Sequence, residues 1–182
     1  MSEHERELWE AKLKPGEELI WTGRPQELKM IDPANPAATW IAFGFAVIWA
    51  AVTLAMFGPK ISGVFALVIM ELPAIIGILI PFMDIRSIRN TTYAITNSRV
   101  IVKSGNDDTS MNYDHNTKVE KRANQTVCVG AATDIKPSRE RHYLLFHGIQ
   151  DNDKNCLGLV LYSTTDADKA VAILKDTGKG KL

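Results

Sequence analysis

Asp107, Asp108, Asp114 and His115 fall close together and carry the donor types that could gather a cation. Their setting argues for a plainer role. Gly105-Asn106-Asp107-Asp108 is turn chemistry, and solvated strand ends explain the remaining carboxylates. His142 and His147 sit five apart in an expected strand, so they point to opposite faces and cannot share a metal. Cys128 and Cys156 have no metal-like spacing and are expected to be reduced thiols with a core role. The chain has no Gly-rich phosphate loop, His-Glu-x-x-His zinc helix or Ser nucleophile elbow. No catalytic residue, metal or cofactor is therefore assigned, and an enzyme is not expected.

Glu71 is the chemically odd residue. It interrupts an apolar run from Ile61 to Met83, which also contains Pro73 and Pro81. That is the second of two such runs; the first, Ala37 to Phe57, has no charged residue. Each is long enough, at ~1.5 Å per residue, to cover the ~30 Å core of a bilayer. The pair is expected to form a transmembrane helical hairpin, with Gly58-Pro59-Lys60 as its turn. Counting back across that turn places Glu71 opposite Val47 to Trp49. The Trp49 indole N–H is the expected donor to this intramembrane polar site. Ala42, Ala46 and Ala50 form a small-residue stripe for helix packing. Arg86 and Arg89, three apart beyond the second run, are placed to meet lipid headgroups.

The flanks supply the orientation. Lys12, Lys14, Arg24 and Lys29 precede the first run, and Arg86, Arg89, Arg99 and Lys103 follow the second. Lys60 alone lies between, so the positive-inside rule puts both termini in the cytoplasm. The acidic start, Ser2 to Glu7, is not a cleavable signal peptide, and Ser2 with Glu5 has capping-box spacing for a helix over residues 2–13. Formal net charge is zero over 182 residues, which gives no overall basic field for nucleic acid. Lys118, Lys121, Arg122, Arg139 and Arg141 are diluted by Glu120 and Glu140. Nucleic-acid binding is not expected.

The remaining segments read as strands. Glu18 to Thr22 is one, and Asn35-Pro36 suits the start of the first long helix. Thr91–Thr96 and Arg99–Ser104 are joined by Asn97-Ser98, which fits a hairpin turn. Met111–His115, Lys118–Arg122, Thr126–Ala132, His142–Ile149 and Gly158–Ser163 complete the set, with Asp134–Arg141 as a polar loop. A closing amphipathic helix has Ala167, Ala170, Val171 and Leu174 on one face and ends at Gly178.

Two stretches carry a family resemblance. Leu13 to Pro25 (LKPGEELIWTGRP) and Asn90 to Val102 (NTTYAITNSRVIV) resemble the opening and the first post-membrane hairpin of bacterial pleckstrin-homology-like membrane proteins. The resemblance implies an α+β membrane protein: a transmembrane hairpin plus a seven-stranded small barrel capped by a C-terminal helix. The expected segments are 1–36, an N-terminal cytoplasmic piece; 37–57 and 61–83, the two spans; and 86–178, the PH-like domain. The expected role is a non-enzymatic scaffold, adaptor or self-assembly module on the cytoplasmic face of the bacterial inner membrane. The lipid bilayer and a protein partner or homo-oligomer are its expected partners. The alternative is an anionic-lipid sensor working through basic loops; a subunit of a membrane enzyme or transporter ranks below both.

Overall fold

The computed structural model describes residues 9–26, 31, 36–57, 64–105, 107–122, 124–145, 148–153 and 155–179. The chain divides into two compact units. One combines Met1–Leu28 with Ser87–Leu182, and the other is Lys29–Arg86. The expected helix start at Ser2, the Asn35 cap, the Gly58-Pro59-Lys60 turn and Asn106 lie outside the described residues.

The smaller unit is a helix pair. Helix α1 is Pro36–Phe57 and α2, which begins in this unit, is Val64–Arg89. Their seam is built from small residues, as close backbone approach requires. Ala46 and Ala74 are buried, and the backbone at Gly77 lies against Ala42 and Ala46. The Trp49 indole N–H donates to the Met70 carbonyl at 3.0 Å. The outward faces of both helices remain apolar, with Trp40, Ile41, Phe65 and Met83 exposed.

A pair of spans is not what this unit provides. Among the described residues one helix, Thr39–Phe57, is long and apolar enough to cross a membrane. On α2 the apolar stretch is the shorter Phe65–Leu79, about 15 residues or ~22 Å. The two-span anchor, the multi-pass inner-membrane location and the lipid bilayer as partner are therefore corrected.

The larger unit is built on two antiparallel sheets. Strand β1 is Leu19–Gly23, β2 Thr91–Thr96, β3 Arg99–Ser104 and β4 Asp107–Asn112. They lie in the order β1-β2-β3-β4. Strands β5 (Val119–Lys121), β6 (Val127–Gly130), β7 (Ile149–Gln150) and β8 (Cys156–Leu161) form the second sheet, in the order β5-β6-β8-β7. Both sheets are open. Between β4 and β5 the chain turns on Asp114, whose carboxylate accepts from the Asn116 N–H at 3.1 Å and the Thr117 hydroxyl at 2.8 Å. That turn takes up the end of the expected Met111–His115 strand and leaves the two sheets unjoined at this point. The closed seven-stranded barrel, and with it the PH-like assignment, is overturned.

A further correction concerns His142–Ile149. This stretch opens within a helix, α3 (Glu140–Leu145), and among the described residues it is extended only from Ile149, where strand Ile149–Gln150 begins. Pro137 starts a short helical turn whose φ it presets, and Glu140 follows in the first turn of α3. Helix α4, Ala167–Lys179, closes the chain and buries Ala167, Ala170 and Leu174. The shared core holds Tyr93, Ile95, Val100, Val127, Val129, Leu159 and Leu161. Tyr93 donates its hydroxyl to the Tyr162 carbonyl at 3.1 Å, which satisfies the one polar atom of a fully buried ring.

Candidate functional site: a basic cleft on the first sheet

Strand periodicity sorts the first sheet into two faces. Cross-strand partners point the same way, so Tyr93/Val102 and Ile95/Val100 face the core. Thr92/Lys103 and Ala94/Ile101 therefore share the opposite face, together with Thr22 beside Ala94 and Asp108 beside Lys103. On that outer face Trp9 buries itself against Ala94 and Ile101. This satellite cluster holds the N-terminal strap, residues 9–14, over the sheet.

Two ion pairs fasten the strap. Arg99 reaches Glu17 through two nitrogens, at 2.8 and 2.9 Å, and donates to the Lys12 carbonyl at 3.1 Å. Glu17 also accepts from the hydroxyls of Thr96 and Ser98 and from the Lys14 backbone N–H. The Arg99 guanidinium, reinforced by these donors, holds the Glu17 carboxyl down at about 2. Its side chain is 2 % exposed, so little water screens the pair. At the other end of the strap, the Lys12 ammonium bonds the Asp108 carboxylate.

Strap and sheet enclose a cleft of about 560 Å³. Lys12, Arg24 and Lys103 supply cations, and Asn90, Thr22, Thr92 and Thr165 supply neutral hydrogen-bonding groups. Asp166, just before α4, is the acidic group of the wall. Among the described residues Lys103 has no ion-pair partner. A cleft of this size, with convergent cations and hydroxyls, suits a small anionic ligand.

The residues singled out in the sequence lie elsewhere. Glu71 is met by the Thr53 hydroxyl, while Trp49 bonds the Met70 backbone. The second Glu71 oxygen is buried without a hydrogen-bond partner. Thr53 also donates to the Trp49 carbonyl at 2.8 Å, so it ties Glu71 back into α1. Ala42, Ala46 and Ala50 are partly or fully buried along α1, with Ala42 and Ala46 against Gly77. Arg86 and Arg89 are exposed on α2. Among the described residues no three His, Cys, Asp or Glu side chains are grouped to hold a metal ion. Cys128 is fully buried, and burial next to the Glu140 charge pushes its thiol up to about 12.

No family model, curated protein or solved structure matches the chain. The reading of the cleft accordingly rests on its own residues.

The cleft residues were visible in the sequence as charges and not as a site. Lys12, Arg24 and Lys103 entered there only as topology markers. The signal that joins two walls is alternation: Thr92/Ala94 and Ile101/Lys103 each put a cleft residue and a strap contact on one face. The third wall, Trp9 to Lys12, depends on a contact across the whole domain that no local pattern encodes.

Proposed function

We propose that the larger unit is a non-enzymatic binding module whose outer-face cleft takes a small, multiply charged anion such as a phosphate-bearing metabolite. The observation that carries this reading is the convergence of Lys12, Arg24 and Lys103 on one cleft with hydroxyl and amide donors. Charge-assisted hydrogen bonds from such a set recognise phosphate oxygens. The Lys103 ammonium is the key donor, because it stands on a paired strand between Thr92 and Asp108. A donor carried on a central strand is held more rigidly than one on a loop.

Inorganic pyrophosphate is a suitable probe. Calorimetric titration of the full chain is expected to show saturable binding, weakened about tenfold by Lys103→Met, the loss of one charge-assisted contact. Phosphorus NMR is expected to show the pyrophosphate intact after prolonged incubation, as a binder leaves it. Equal affinity in Lys103→Met would contradict the site, and hydrolysis would contradict the non-enzymatic role.

A further inference from the structure

We infer that the N-terminal strap is the closing element of this anion site, with Arg99 and Glu17 as positioning residues that set Lys12 over the ligand. This inference rests on the proposed cleft. Neither Arg99 nor Glu17 lines the cleft, whereas Trp9 and Lys12 do. The strap reaches the cleft because Arg99 binds it twice, through the Glu17 carboxylate and the Lys12 carbonyl. The Lys12 carbonyl is held by Arg99, and the ammonium of the same residue is held only by an exchangeable ion pair. That ammonium is partly exposed and its partner is Asp108, on the edge strand β4.

Asp108 is also the cross-strand neighbour of Lys103. Asp108 thus pairs with Lys12 and stands opposite Lys103 on the neighbouring strand, beside two of the three cations of the cleft. Asp108 is an internal anion of the site, and an entering phosphate exchanges with it for Lys12. Pro15 and Gly16, the latter at φ +79°, form the turn between Lys12 and the Glu17 anchor, closed by the Glu17 N–H on the Lys14 carbonyl. Affinity is then set by three things: the Lys12 charge, its placement by Arg99, and competition from Asp108.

The test is a double-mutant cycle on the full chain, read as pyrophosphate affinity. Arg99→Gln and Lys12→Met are each expected to weaken binding about five- to tenfold. Together they are expected to weaken it little more than the larger single effect, since Arg99 works through Lys12. Arg99→Gln with Lys103→Met is expected to multiply the two losses. Asp108→Asn is expected to tighten binding, which a merely structural Asp108 would not do. Should Arg99→Gln fail to fold, Glu17→Gln cuts one of its two links while keeping the side-chain shape, and the same pattern is expected with a smaller effect. If Lys103→Met weakens binding but Arg99→Gln and Glu17→Gln leave it unchanged, the strap inference is overturned and the cleft stands. Absence of any binding by the unaltered chain overturns both.

Discussion

Glu17 shows how a single side chain can organise a surface. It belongs to a polar stretch, Glu17-Glu18, where either carboxylate could have been the solvated one. The strand register decides: Glu18 gives its backbone to the Asn97 turn, and Glu17 is turned in against Arg99, Thr96 and Ser98. Its folded-state value of about 2 lies below the ordinary 4.5. The depressed value means that the pair stabilises the fold above about pH 4.5 and loses that contribution as the pH falls towards 2. The shift corresponds to about 3 kcal/mol at neutral pH. Denaturant unfolding of the unaltered chain and of Glu17→Gln is expected to differ by that order at pH 7, and the gap is expected to close between pH 5 and pH 2. A gap that does not change with pH would mean that Glu17 acts by packing and not by charge.

Helices and strands differ in how well the sequence announces them. The β2–β3 hairpin is local, and its alternation and Asn97-Ser98 turn made it legible within the stated bounds. Helix α4 was legible for the same reason, since its apolar face repeats with helical period. The stretch from His142 was not. Its bulky and aromatic residues suit a strand, but the preceding Pro137 turn and the buried Glu140 set a helix. Glu140 accepts from Arg122 at 2.8 Å and from Asn124 at 3.1 Å, contacts that only the folded chain brings together. Barrel closure came with the family resemblance, which says nothing of whether the edge strands of this chain bond. At Gly130 the limit is steric: φ is +65° and an added Cβ would lie 2.4 Å from the Leu157 carbonyl oxygen. Gly130→Ala is expected to cost about 3 kcal/mol in thermal or denaturant unfolding, because strained backbone and a backbone clash add. A cost under about 0.5 kcal/mol, the range of a neutral surface change, would contradict the close approach of Gly130 on β6 to the Leu157 carbonyl on β8.

At the scale of the molecule, two units with different chemistry share one chain. The helix pair has small residues at its seam and large apolar residues outside, whereas the β-rich unit encloses a conventional core and carries the polar cleft. The long apolar runs dominated the sequence reading and drew function towards the helices. The cleft is assembled from positions 9–12, 22–24, 90–105 and 165–166, so no single stretch could declare it. The most direct measurement is a heteronuclear NMR titration of the full chain with inorganic pyrophosphate. The expected result is saturable shifts concentrated on Lys12, Thr22 to Arg24, Thr92, Lys103 and Thr165. Shifts spread over unrelated basic residues without saturation, or none at these positions, would contradict the cleft as an anion site.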